Sequence, residues 1–369
     1  IEFNIGADTS FHPLKGPMTT QSLRGMANAG PMHWRGDRTG GSDPGGDPLD
    51  EVASFKRFIV AFDGLLGLGA PISDADMQRF TDFILQVTYP PNPVHNLDNS
   101  LTPAQSSAQS FYMNVTSDAV RTCNGCHTLA PESGFFGTDG DTTFENEPQV
   151  FKIAHLRNAY QKVGMFGFPP VGGLVGGEAA HQGDQVRGFG CLHDGSGDTV
   201  FHFLRAGVFT GFSSDTQRRE VESFVLAFPT DLAPIVGQQV TLTATNAVAA
   251  NPRIDLLLQR AAANECELVA KGVRDGTLRG AWRRSDGLFQ PDSSTEGAFT
   301  DAALRALATA AGQELTYTCV PPGSGLRVGI DRDEDGCADF DDPAPDNQAV
   351  SCAGATTSTP PTSTTTTRP

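Results

Sequence analysis

Cys123-Asn124-Gly125-Cys126-His127 sets two thiols three positions apart with an imidazole directly after. At that spacing one tight backbone turn brings both sulfurs to one edge of a porphyrin, where they add to its vinyl groups. The same turn offers the imidazole to the iron. Structural zinc would need a second close ligand pair, and the chain has no other C-x-x-C. A thioredoxin-type redox pair ends a strand and opens a helix, whereas Thr128-Leu129-Ala130-Pro131 follows here. The expectation is one covalent haem c, with Cys123 and Cys126 as thioethers and His127 as an iron ligand.

A second run with ligand spacing spans 331–342. Asp331, Asp333 and Asp335 stand at its first, third and fifth positions, Gly336 at the sixth, Asp339 at the ninth and Asp342 at the twelfth. Cys337 can offer a backbone carbonyl at the seventh. Hard oxygen donors in that order, with glycine at the sharp turn, are the pattern of a calcium loop. Asp342 replaces the usual bidentate Glu, and Pro343 and Pro345 follow where an EF-hand would continue as helix. The run resembles the calcium loops of thrombospondin type 3 repeats and dockerins. Its expected role is to order a charged, weakly packed segment.

The 369 residues leave room for two or three domains. A net charge of −17 argues against nucleic acid, whose phosphates need clustered Lys and Arg. No apolar run reaches membrane-spanning length. Haem attachment is chemistry of an exported compartment, so the chain is expected to be the mature or clipped product of a longer precursor. Five cysteines lie outside the haem motif, and an oxidising location predicts two disulfides among them. Proximity in sequence pairs Cys337 with Cys352 and Cys266 with Cys319, leaving Cys191 free.

The elements that must hold these residues show a repeated order. Leu23-Arg24-Gly25 is followed, after six intervening residues, by Met32-His33, and Leu156-Arg157-Asn158, after six intervening residues, by Met165-Phe166. Each landmark precedes a stretch with helical periodicity, one opening at Ser73-Asp74 and the other at Ser214-Asp215, with Ser as N-cap. Two landmarks in one order predict a duplicated domain. Beyond 236, Gln238–Thr243, Cys266–Ala270 and Leu315–Cys319 read as strands, with a helix over 300–311 between the last two.

On these residues the chain resembles the diheme cytochrome c peroxidase superfamily. There a C-x-x-C-H precedes F-K-x-x-x-L-R-N, then a methionine, then a Y-M-H-D-G-type segment. Here Phe151-Lys152-Ile153-Ala154-His155-Leu156-Arg157-Asn158, Met165 and Leu192-His193-Asp194-Gly195 follow the same order. The resemblance implies Met165 as sixth iron ligand, with His193 and His155 as competitors, and Arg157 at a haem propionate or ordering its loop. Met32 or His33 would serve a haem of the first domain, whose attachment motif would have to precede Ile1.

The expected architecture is mainly α: tandem cytochrome c-like domains at 1–100, without a haem motif, and at 101–235. A small disulfide-linked α+β domain (236–329), the calcium loop (330–352) and a Thr/Pro-rich tail (353–369) follow. The expected function is extracellular or cell-surface electron transfer through one haem, with the periplasm as alternative location. A redox partner or neighbouring subunit would receive the electron, within a homo-oligomer or filament. A diheme peroxidase-like enzyme and a structural surface glycoprotein carrying a non-catalytic haem are the alternatives.

Overall fold

The structure, a computed structural model, describes residues 19–30, 32, 45–47, 49–118, 120–130, 153–164, 187–188, 190–192, 195 and 197–352. The chain divides into two compact units, one of residues 1–96 with 100–231, the other of 97–99 with 232–369.

In the first unit, helices α1 (Glu51–Lys56), α2 (Val60–Gly64) and α3 (Asp74–Ile84) precede α4 (Pro103–Asn114). Ser73 caps α3 by accepting a hydrogen bond from the Asp76 amide at 3.1 Å, and Met77, Thr81 and Ile84 are its buried face. Thr102 and Gln105 form a reciprocal capping box at the start of α4, where Pro103 also favours the first turn. The short ladder β1 (Thr116–Asp118) and β2 (Arg121–Thr122) then leads into one helical turn, α5 (Cys123–Cys126). A 3-10 segment covers Leu156–Gln161. The parallel pair β3 (Val163–Gly164) and β4 (Arg187–Gly188), the turn α6 (Val200–Phe203) and α7 (Asp215–Leu226) follow.

Helices α4 and α7 meet through aromatic side chains. Tyr112 stands edge-on to Phe224 and Phe228, with ring centroids 5.6 and 5.4 Å apart, and Phe111 meets Phe212 at 4.7 Å. Asn92 secures the end of α7, its amide donating to the carbonyls of Leu226 and Phe228 at 2.8 and 2.9 Å. Those carbonyls would otherwise be buried without partners.

The second unit is a five-stranded antiparallel sheet. In chain order its elements are β5 (Gln239–Leu242), α8 (Ala247–Ala262), β6 (Glu267–Arg274), β7 (Thr277–Arg283), β8 (Phe289–Pro291), α9 (Asp301–Leu307), β9 (Leu315–Val320) and α10 (Gly325–Gly329). The spatial strand order is β5-β9-β6-β7-β8. Asp275-Gly276, both at positive φ, turn β6 into β7, as a two-residue hairpin with right-handed strand twist requires. The apolar faces of α8 and α9 close over Leu268, Ala270, Phe289 and Tyr317 in one core. Disulfides join Cys266 to Cys319 and Cys337 to Cys352, while Cys191 is unbridged.

The chain is therefore α+β, and the expectation of a mainly α tandem is corrected. The alternating segments beyond 236 pair with a hairpin that charge-rich β7 concealed, so the sheet organises a whole unit. Nor do the two repeated landmarks share an environment. Leu23 and Arg24 are exposed in a bend, whereas their counterparts Leu156 and Arg157 are half-buried and buried within the 3-10 turn; only Gly25 and Asn158 are buried alike. A duplicated domain would bury equivalent positions alike.

Candidate haem-attachment and cation sites

The Cys123–Cys126 turn is built by short-range bonds. The Thr122 hydroxyl accepts from the Gly125 amide at 3.0 Å, and the His127 amide donates to the Cys123 carbonyl at 2.8 Å. Asn124 accepts from the Leu129 amide at 3.0 Å, fixing the departing chain. Both thiols are unbridged, and the Cys123 sulfur lies 3.3 Å from the Ser117 hydroxyl. Burial raises the pKa of both thiols. A nucleophilic redox cysteine has the opposite shift, so the pair has no thiolate activation.

His127 Nδ1 lies 2.7 Å from the Ala154 carbonyl oxygen. A carbonyl only accepts, so the proton is on Nδ1 and the Nε2 lone pair is left as the donor to a metal. Burial also pulls the His127 pKa down, keeping the imidazole in its neutral, ligating form. The Tyr112 hydroxyl donates to the His127 carbonyl, tying the motif to α4. Two free thiols one helical turn apart and an imidazole with a fixed tautomer fit the protein half of a haem c site.

Arg157 is buried and pairs with Asp231, whose other oxygen accepts from the Tyr89 amide at 2.8 Å. Its guanidinium also lies 6.0 Å from the centre of the Tyr89 ring. These contacts tie the Arg157 turn to the Tyr89 and Asp231 segments. His155 is buried, its ring edge-on to Tyr89 at 5.7 Å. Met165, His193 and His33 lie outside the described residues; Met32 is buried.

In the loop at 331–342, four carboxylates behave alike. Asp331 Oδ2 accepts from the Gly336 amide at 3.1 Å, Asp333 Oδ1 from Asp335 at 3.3 Å, Asp335 Oδ1 from Cys337 at 2.7 Å and Asp342 Oδ1 from Ala344 at 2.8 Å. The second oxygen of each is buried without a hydrogen-bond partner. Carboxylate oxygens of Asp331, Asp333 and Asp335 lie within 4.8 Å of one another, and those of Asp335 and Asp342 do likewise. Gly336 has φ of +88°, the left-handed turn its position demands. Burial, with the charges of Asp335 and Asp333 adding to it, raises the pKa of Asp331. Converging hard oxygens of this kind are donors suited to a divalent cation. Asp339 faces elsewhere, accepting from the Arg332 amide at 2.9 Å and pairing with its guanidinium. The Cys337 sulfur is committed to its disulfide, leaving its carbonyl as the donor it can offer.

Sequence reasoning passed over one buried polar pair. His202 Nδ1 lies 2.6 Å from Asp198 Oδ1, both almost without solvent contact. Thr199 caps α6 between them, accepting from the His202 amide at 3.1 Å. Asp and His four apart, astride a Thr N-cap, were the available signal. Nearby, Glu222 accepts from the Phe201 amide at 2.9 Å and pairs with Arg219, so these polar groups anchor α6 to α7.

No protein-family model, curated protein or solved structure matches the chain. Together with the α+β fold, this overturns the expected membership of the diheme cytochrome c peroxidase superfamily and of the calcium-repeat families. The residues themselves carry whatever functional reading follows.

Proposed function

We propose that the chain carries one covalent haem c on Cys123, Cys126 and His127 and serves as a single-electron relay outside the cytosol. The observation that carries this reading is the 2.7 Å contact of His127 Nδ1 with the Ala154 carbonyl, beside two unbridged thiols one turn apart. When bound, the haem supplies an iron centre that cycles between ferric and ferrous states. The chain's contribution is to hold the imidazole neutral, fix its tautomer through Ala154, and brace the motif from α4 through Tyr112. The His155 ring is edge-on to Tyr89 at 5.7 Å, and Met165 or His193 is the proposed second ligand that the iron would take. Peroxidase chemistry rested on the discarded family resemblance.

Covalent haem and two disulfides both suit an oxidising, extracellular or cell-surface location. No helix among the described residues is long and apolar enough to cross a membrane. A redox protein or a neighbouring subunit of an oligomer or filament is the proposed electron partner.

The test is expression with a haem-c maturation system in an oxidising compartment. One haem that survives denaturation and extraction, and is lost in the Cys123→Ala/Cys126→Ala variant, supports the reading. A chain recovered with both thiols free and no haem sinks it.

A second reading is favoured by the four unpartnered oxygens in the 331–342 loop. Asp331, Asp333, Asp335 and Asp342, with the Cys337 carbonyl, bind Ca2+ and stiffen the protein for a calcium-rich medium, with Asp339 held back by Arg332. Under that reading the protein is equally a structural surface component, and its haem need not relay electrons. Calorimetric titration with Ca2+ tests it.

A further inference from the structure

We propose that Ca2+ in this loop acts as a latch: it fixes the segment Asp339–Asp342 so that Asp341 and Phe340 hold down the turn after β8 and order that edge of the sheet. This rests on the Ca2+ reading above. Edge strand β8 has only three residues, too few to hold itself in place by pairing alone. The turn that follows it is secured from two sides. Towards the sheet, Asp292 donates its amide to the Gly280 carbonyl at 3.0 Å and accepts from the Gly280 amide at 2.7 Å and Arg279 Nε at 2.7 Å. Glu296 pairs with Arg279 at 2.8 Å and with Arg274.

Towards the loop, the Phe340 amide donates to the Asp292 carbonyl at 3.0 Å. The Asp341 carboxylate accepts from the Ser293 hydroxyl at 2.9 Å and the Ser294 amide at 2.5 Å. Arg279 stacks over the Phe340 ring at 3.9 Å, so one guanidinium touches both partners. Asp341 is not a ligand in this arrangement, but its neighbour Asp342 is. Asp342 is 8% exposed, with Oδ2 buried and unpartnered, and one of its carboxylate oxygens lies within 4.8 Å of one of Asp335. Without a cation, converging carboxylates repel, and the cheapest relief is for the 339–342 backbone to swing out. That motion withdraws Asp341 and Phe340 from the turn. With the cation bound, repulsion becomes attraction and the turn is held.

Hydrogen exchange on the full chain, followed in peptides covering 289–299, tests the latch. With free Ca2+ about 100 times its Kd, linkage allows slowing on the order of 100-fold relative to chelator. Asp341→Ala should abolish that slowing while the protein still binds Ca2+. Coupling is reciprocal, so this variant should raise the Kd by the same factor by which it loses protection. Asp341→Asn, which keeps one acceptor oxygen, should restore part of both. Binding of Ca2+ in calorimetry without altered exchange at 289–299, or full protection in Asp341→Ala, overturns the latch and leaves the Ca2+ site standing. Absence of any Ca2+ binding overturns both. If Asp341→Ala fails to fold, Phe340→Leu removes the Arg279 stack and must reduce the Ca2+-dependent slowing, or the latch is wrong.

Discussion

His127 Nδ1 and the carbonyl oxygen of Ala154 are 2.7 Å apart although 27 residues separate them in the chain. That bond converts a histidine able to ligate through either nitrogen into one with a single ligating atom. His127→Ala is therefore expected to keep thioether-bound haem in reduced yield but lose the spectrum of a histidine-ligated low-spin iron. An unchanged visible spectrum in that variant would assign the ligand elsewhere.

Tyr112 holds the same motif from the other side, through the His127 carbonyl. Tyr112→Phe leaves that carbonyl without its donor, at a cost of about 1–3 kcal/mol for a buried group. Denaturant midpoints of the haem-free and haem-bound chains should both fall. A variant equal to wild type in both would show the bond to be incidental.

Arg157 and Asp231 form a partly buried ion pair. Replacing Arg157 with Met strands the Asp231 charge and should destabilise the unit by about 3 kcal/mol. The loss is expected without haem as well as with it. Destabilisation confined to the haem-bound form would instead assign Arg157 to a haem carboxylate.

The two disulfides should differ in effect. Cys266–Cys319 spans 53 residues and Cys337–Cys352 spans 15. Loop-closure entropy predicts losses of about 4 and about 3 kcal/mol when each is replaced by a pair of alanines. Thermal unfolding should register the larger drop for Cys266→Ala/Cys319→Ala, and the reverse order would contradict the entropic account.

Cys191 has its thiol pushed up to about 11, chiefly by burial. Because the folded value lies above the unfolded one, the neutral thiol's contribution to stability is complete below about pH 9. It is lost as pH rises from 9 towards 11. Alkylation at pH 8 should accordingly be slow in the native protein and fast in denaturant. Rapid native labelling at Cys191 would count against this environment.

How much was legible varied with the range of the interactions. Ser73 and Ser214 announced their helices because an N-cap is a bond between residues three apart, and both cap helices. Strands β5, β6 and β9 were visible in their alternation. β7 was not, because Arg279 and Arg283 break the apolar pattern; Arg279 is tolerated there because Asp292 and Glu296, in the turn after β8, pair with it. α8 escaped notice because Pro252 reads as a breaker; Pro252 stands inside the helix and forgoes one helical hydrogen bond, while Ala250, Ile254, Leu257 and Ala261 bury the face that holds α8 together. The paired landmarks at 23 and 156 misled, since matching letters say nothing about which copy is buried.

By itself the sequence determined the chemistry on offer: two thiols and an imidazole within five residues, and a run of carboxylates with glycine at its turn. Spacing along a backbone of known geometry is enough for both. Which nitrogen of His127 faces a metal, which carboxylates converge and which one, Asp339, is drawn off by Arg332 were decided only by the tertiary structure. These depend on hydrogen-bond partners and burial contributed by segments distant in the chain, and local spacing does not encode them.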